Sequence, residues 1–446
     1  MIKNISTSLN FLLAGSVLGT VPVTHAAFIE DSKLTLGLRN FYYDADNREG
    51  GADQREWAQA FRLDYVSGFT DGTVGFGVDV LSLTGLHLDG GKGHHPDTNT
   101  FAPSDSDGSA QHEWSSLGAT AKARISKTEF RLGNSLTPNL PILIASDSRL
   151  MQQTYGGAMF TSKEIDNLTL TGGQIERARG RASTNSQGLS VAGGNQDSNT
   201  FRFAGGDWKA TKNLTLQYYY ANLQDYYSQH FFGLIHVQPL GEGQSFKTDL
   251  RYFKSYADGA NGQAGYRFNN NGGYAKTPGE VDNDTAIAMF TYTLGSNSLM
   301  LGQQRVSDNG GFVWLNQANV TDSRGRNEGE GGASFYSFTD AVVGNFGRAG
   351  ETTTFGQYTY DFASLGAPGL KASIGYLRGG DAKAVNGSGP DTHEWETDMR
   401  VDYVVAQGPL KGFGTTLRHG TYRGGGTSIA DQDQTRLIFN YTYSFF

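Results

Sequence analysis

Two arginines near the end of the chain stand where a carboxylate can be read. Arg418 follows Leu417 and Arg436 precedes Leu437, in stretches that alternate apolar and polar residues, so each guanidinium points away from the apolar face. Arg400, between Met399 and Val401, has the same relation to its neighbours. A guanidinium offers its N–H groups in a fixed fork that matches a carboxylate. Several in a row make weak sites that a solute enters and still leaves. The competing reading is that these arginines only pair across strands with Glu396, Asp398 or Asp402. A second cluster, His87, His94, His95 and His112 with Asp105 and Asp107, lacks the tight spacing of a metal site and reads as a solvated loop. No metal or other cofactor is therefore expected. G-x-S-x-G, Walker A, G-x-G-x-x-G and H-E-x-x-H patterns are all absent, and nothing argues for an enzyme.

The elements that carry these residues are strands. Leu34, Leu36 and Leu38 alternate with Lys33, Thr35, Gly37 and Arg39; Phe61, Leu63 and Tyr65 alternate with Arg62 and Asp64. Ala121, Ala123 and Ile125 alternate with Lys122 and Arg124, and Met399, Val401 and Tyr403 with Asp398, Arg400 and Asp402. The last segment sets Leu437, Phe439, Tyr441, Tyr443 and Phe445 against Arg436, Asn440 and Thr442. A soluble sandwich also alternates, so three further features decide. Aromatics crowd segment ends (Tyr218 to Tyr220, Tyr226-Tyr227, Phe231-Phe232), where the interfacial girdles of a membrane barrel sit. The polar faces carry charges of both signs, which a wet lumen tolerates and a dry core does not. The last strand closes on an aromatic, Phe446.

Composition agrees. Glycine is abundant at 61 residues, Phe and Tyr number 27 and 22, proline only 10, and cysteine is absent, which excludes disulfide frameworks and thiolate metal sites. A mean hydropathy of −0.44 leaves no spanning helix in the body of the chain, but barrel strands need only ~9–11 residues with one apolar face. The acidic pI of about 5.6 argues against nucleic acid as a partner. Lys3, the apolar run Phe11 to Val23 and the small-residue site Thr24-His25-Ala26 read as a secretory leader, with an N-terminal anchor helix as the alternative. Cleavage after Ala26 leaves 420 residues with a formal charge of −9. At ~45 residues per hairpin and its two connections, that length holds 16 to 18 strands, too many for side chains to fill the interior. The long loops are expected at Asp89 to Gln111, Gly180 to Asn199, Asp258 to Asp284, Val320 to Gly331 and Gly379 to Thr392.

Blocks along the whole chain resemble the OprD family of outer-membrane carboxylate channels. They include Ala27 to Ser32, Leu38 to Tyr42, Ser126 to Glu129, Asp147-Ser148-Arg149-Leu150, Glu164 to Leu170, Gly180 to Ser183, Gln229 to Phe231, Tyr403 to Val405, Gly408-Pro409 and Arg436 to Ile438. The resemblance implies an all-β fold, a single antiparallel transmembrane barrel of 18 strands over residues 27–446. It implies an infolded third loop, here Leu140 to Gly157, that contributes Asp147, Arg149 and Tyr155 to a narrow eyelet. It also implies a ladder of lumenal basic residues, here Arg418 and Arg436 with Arg423, and Arg400 is a further candidate for the pore wall. Thr416 stands where the family often has another arginine. The stretch matching the family's acidic eyelet residue reads Gly331-Gly332-Ala333-Ser334, which favours simple or aromatic carboxylates over basic amino acids. The expected partners are small carboxylate solutes, outer-membrane lipid and the barrel-assembly machinery, with the chain a monomer or weak trimer. An outer-membrane barrel hydrolase and a secreted β-rich binding protein are the alternatives from other classes.

Overall fold

A computed structural model describes residues 25–446 apart from 91–92, 97–99, 270–272, 318–333, 386 and 427–428. The leader residues Lys3 and Phe11 to Thr24 lie outside the described residues. A short helix, His25–Glu30, precedes 18 long strands. The first six are β1 (Lys33–Asn47), β2 (Gln54–Val66), β3 (Val74–Asp89), β4 (Glu113–Ile125), β5 (Thr128–Leu136) and β6 (Thr154–Ser162). Next come β7 (Leu168–Arg179), β8 (Phe201–Lys209), β9 (Leu214–Leu223), β10 (Tyr227–Gly241), β11 (Gln244–Ala257) and β12 (Asp282–Leu294). The last are β13 (Asn297–Val306), β14 (Thr352–Asp361), β15 (Leu370–Ala382), β16 (Thr392–Val404), β17 (Gly414–Gly425) and β18 (Gln432–Ser444). Each pairs antiparallel with the next, and β18 returns to β1 from Thr35↔Ser444 to Asn47↔Gln432, so the sheet has no edge. Closure is what lipid demands, because hydrocarbon offers no partner for a free backbone N–H or C=O.

The connections alternate in length. On one rim they are tight: Ser126-Lys127 joins β4 to β5 with Ser126 at φ 52°, and Glu242-Gly243 joins β10 to β11 with Gly243 at φ 65°. On the other rim they are mostly long: L1 (48–53), L2 (90–112), L3 (137–153), L4 (180–200), L5 (224–226), L6 (258–281), L7 (307–351), L8 (383–391) and L9 (426–431). Alternation along each strand fixes the faces. Leu63, Phe76, Leu132, Leu301, Met399, Leu417 and Tyr443 are exposed on the outside, while Arg39, Arg62, Lys122, Arg418 and Arg436 take the opposite parity and face in. The paired aromatics split accordingly. Tyr218 and Phe232 are outside and exposed, but Tyr219 and Phe231 are buried within, and Tyr226 and Tyr227 are wholly buried at the start of β10. The expected girdle thus claims only one residue of each β-strand pair, because successive strand residues point to opposite faces.

The interior is not an empty pipe. Against the wall from β6 to β14, Tyr155, Tyr219, Tyr227, Phe231, Phe253, Phe312, Phe335 and Phe346 form one apolar cluster with residues of L3, L4 and L7. Phe41, Tyr43, Phe101, Trp114, Leu150 and Met151 form a second against β1 to β4. Packed loops thus narrow the lumen from both sides. L7 is longer than its polar run, Val320 to Gly331, implies. It spans residues 307–351, because Phe312, Phe335 and Phe346 bury inside the barrel instead of projecting into water.

Candidate functional site

Register places three arginines side by side. Arg400 in β16 faces Arg418 in β17, and Arg418 faces Arg436 in β18; Arg436 in turn faces Tyr43 in β1. All three have the parity of the lumen. Their surroundings differ. Arg400 is held by Asp402, with Nε and Nη2 donating at 2.6 and 2.9 Å. Arg436 is 2 % exposed; it donates to Gln434 and to the carbonyl of Val342 in L7, with its guanidinium 5.8 Å from the Tyr43 ring centre. Arg418 is partly buried and makes no hydrogen bond or ion pair among the described residues. Its fork is unclaimed, with Arg400 and Arg436 as like-charged neighbours in register. The carboxylates of Asp398 and Asp340 lie within electrostatic reach and offset part of the cost of that placement.

Two loops narrow the lumen opposite this row. In L3, a small hairpin pairs Asn139–Leu140 with Leu143–Ile144, and the chain then brings Asp147 to Arg39, whose Nη1 and Nη2 donate to it at 2.7 and 3.0 Å. Arg39 also donates to the Arg149 carbonyl at 2.8 Å. The Arg149 guanidinium lies over the Tyr43 ring, 5.1 Å from its centre, and donates to Thr100 at 3.1 Å. Arg62 takes both oxygens of Asp64 and the amide of Gln152. Arg181 of L4 donates to Ser146 and Ser148 of L3. L7 is hung from the barrel wall by carboxylates. Glu396 accepts the amides of Val343 and Gly344 at 2.8 and 2.7 Å, and Gln304 donates to the Phe346 carbonyl at 2.7 Å. Ser334 of L7 donates to Ser146 of L3 at 2.9 Å, tying the two loops together.

Asp340, at the tip of L7, opens on the lumen but is walled in by protein. Scarce hydration pushes its carboxyl above the usual range, and Arg181, the Phe335 backbone, Ser334 and Arg436 only partly oppose this. An acid therefore stands in the constriction. Gly331, Gly332 and Ala333 lie outside the described residues.

Some residues expected at the pore serve elsewhere. Tyr155 is 2 % exposed and donates to the Ile144 carbonyl at 3.3 Å, so it braces L3 from behind and touches no solute. Arg423 has the parity of Leu417, which puts it outside; near the loop end of β17 it pairs with Asp433 at 2.8 Å, beside Arg48. An ion-paired arginine is tolerated there because the cost of charge falls towards the interface. Tyr226 donates to the Gln196 carbonyl at 2.6 Å inside the loop cluster, not in the pore. His95 and His87 lie 3.0 and 3.6 Å from buried Glu56, and His94 meets Arg55 at 3.3 Å, so the histidines clamp L2 to the rim of β2. Asp147, Arg149, Arg400, Arg418 and Arg436 do converge on the constriction. Arg39, Arg62 and Arg181 join them, although sequence reasoning did not single them out; Arg39 and Arg62 carried the same signal, an arginine beside a leucine in an alternating segment.

The chain matches the model of the outer membrane porins of the OprD family over residues 26–445. It is 32% identical over 436 residues to Porin D of Pseudomonas aeruginosa, covering 94% of this chain and 92% of the relative. Among solved structures, OccK8 (OprE) of Pseudomonas aeruginosa superposes with a TM-score of 0.83 at 44% identity, over 94% of this chain and 100% of that one. OpdK of the same organism, solved with vanillate, superposes with a TM-score of 0.79 at 32% identity, over 94% and 100%. A closed 18-stranded barrel with infolded loops and an arginine-lined lumen, matched end to end by such relatives, belongs to the OprD family of outer-membrane porins.

Proposed function

We propose that this porin passes small solutes bearing a carboxylate, organic or aromatic acids before basic amino acids. The observation that carries the reading is Arg418, a lumenal guanidinium with no hydrogen bond or ion pair among the described residues, set in register between Arg400 and Arg436. Around it the constriction holds Arg39, Arg62, Arg149 and Arg181, whereas Asp147 and Asp64 are each occupied by one of these arginines. With Asp402, Asp147 and Asp64 engaged by Arg400, Arg39 and Arg62, the uncommitted guanidinium of Arg418, not the lack of an acid, supports anionic solutes. OpdK, a neighbour at 32% identity, was solved with vanillate, a ring carrying a carboxylate. A net charge of −8 is no obstacle, because the field in a narrow pore is set by the nearest groups. Residues 1–26 act as the leader and residues 27–446 as a single barrel domain, delivered to the barrel-assembly machinery and working as a monomer or weak trimer. The test is swelling of liposomes that hold the purified barrel. Benzoate and gluconate should enter faster than neutral sugars of the same size, with the ratio shrinking as salt rises. Equal rates at low salt would contradict the reading. Sequencing the mature N-terminus should give Ala27 first.

A further inference from the structure

We propose that the lumen holds a second binding subsite, on the short-turn half of the barrel, for a carboxylate carried on a flat apolar body. It is a cavity of about 400 Å³ between β11–β14 and the Phe335–Phe338 segment of L7. The proposal rests on the carboxylate reading of the lumen but uses none of the arginine row, which lies on β16 to β18.

Register builds the floor. Lys247 faces Thr291, Thr291 faces Met300 and Met300 faces Gln357, a cross-strand row in which every residue has lumenal parity. Lys247 is four residues from the Glu242-Gly243 turn, which fixes the site on the short-turn side of L7. Above Lys247 sits Asp249, 3 % exposed. Arg251 already satisfies both of its oxygens, donating at 2.9 and 3.0 Å. Lys247 reaches the same carboxylate at 3.1 Å, with its side chain 41 % exposed to the lumen. Two cations against one acid leave a surplus positive charge, and an ammonium carries three donors of which Asp249 engages one. Neutralising Asp249 therefore does not account for Lys247. The Thr291 hydroxyl lies beside it in register, as a second polar contact for an anion.

The roof is apolar and flat. Phe338 stacks on Phe355 with centres 5.0 Å apart, and Tyr336 is fixed by the Arg251 guanidinium 3.6 Å from its ring centre and bonded to its carbonyl at 2.9 Å. Phe335, Met289 and Met300 complete the apolar side. Methionine and ring faces adapt to a planar guest. An apolar cavity of about 150 Å³ already takes a benzene, so this space holds one ring with its carboxylate and several waters. L7 hangs between the two sites, bonded to Arg436 through Val342 and to Arg251 through Tyr336. A solute leaving the arginine row on the short-turn side thus meets a second cation within the same lumen. Two weak sites in series let the next solute displace the last.

The test is single-channel recording of the full barrel in a planar bilayer, with benzoate, acetate or benzyl alcohol as probe on both sides. Benzoate should interrupt the current for longer than acetate, which lacks the ring, or benzyl alcohol, which lacks the charge. Lys247→Gln should shorten the mean benzoate interruption about fivefold, the weight of one partly hydrated ion pair. If Lys247→Gln does not fold, Thr291→Val should give a smaller shortening in the same direction. Interruptions shortened by Arg418→Gln but unchanged in the Lys247 and Thr291 variants would leave the arginine row as the sole site and overturn the second. Interruptions unchanged in every variant would overturn both readings, and shortening in the Lys247 variant alone would sustain the subsite while refuting the row.

Discussion

Arg418 and Arg436 look alike in the sequence, each an arginine beside a leucine, yet the structure separates their roles. Arg418 has no hydrogen-bond partner among the described residues, whereas Arg436 gives an N–H each to Gln434 and to the Val342 carbonyl of L7. Arg418→Gln should leave the barrel folded, because it removes no hydrogen bond among the described residues. Arg436→Gln should also fold but release one tie on L7, so its open-channel current should be noisier than that of Arg418→Gln in matched recordings. Asp340 gives the pH dependence. Its carboxyl is raised by poor hydration, so it takes up a proton at a higher pH than an ordinary carboxylate. Protonation deletes a negative charge beside Arg181 and Arg436, so anion selectivity should rise on acidification, beginning at a higher pH than an ordinary carboxylate would give. Asp340→Asn should show the higher selectivity throughout and lose that dependence; an unchanged dependence would place the titrating group elsewhere. The sequence pointed to Arg418, Arg436, Arg400, Asp147 and Arg149 because alternation or a family block marks each of them. It could not mark Asp340, whose meaning depends on where a 45-residue loop folds. Nor could it separate Tyr155 from the pore, since burial by a loop leaves no local signature.

Strands were the most legible elements, because a half-buried strand imposes period 2 whatever its partners. The loops were not, since L7 mixes polar runs with Phe312, Phe335 and Phe346, and only tertiary packing shows that these turn inward. The inward fold combines this aromatic packing with polar ties to the wall. Glu396 holds two L7 amides with its two oxygens, at 2.8 and 2.7 Å, and its loss frees both donors at once. Glu396→Ala should therefore widen the conductance distribution and weaken selectivity without altering heat-modifiable gel mobility; a sharp, wild-type conductance would show that Gln304 and Arg436 suffice to hold the loop. Glycine has a definite task at Gly133 in β5. A Cβ there would lie 2.2 Å from the Ala119 carbonyl oxygen and 2.5 Å from the Thr120 Cα of the neighbouring strand. Gly133→Val forces those two backbones apart, a cost at or above the ~1–3 kcal/mol of overpacking. The variant should show a lower folded fraction on unboiled gels.

Across the whole molecule, a closed barrel of acidic net charge carries a row of lumenal arginines. The arginine row of β16 to β18 stands among Arg149, Arg181 and the carboxylates of Asp398 and Asp340, so the field a solute meets is set by these nearby groups and not by the net charge. Closure itself rests on the last strand. Tyr443 and Ser444 register with Leu36 and Thr35, and the Phe445 amide donates to the Leu34 carbonyl at 2.9 Å. Removing Tyr443 to Phe446 should leave secreted protein unassembled in the periplasm; normal outer-membrane levels of the shortened chain would contradict that. The measurement that bears most directly on carboxylate selection by the arginine row is the reversal potential under a potassium chloride gradient, for wild type and Arg418→Gln, at low and high salt. Loss of the free guanidinium should move the reversal potential towards cation selectivity, more at low salt where screening is weak, and benzoate uptake should slow in step. A folded Arg418→Gln barrel with the wild-type reversal potential and wild-type benzoate flux would mean that the row braces the wall and reads no anion.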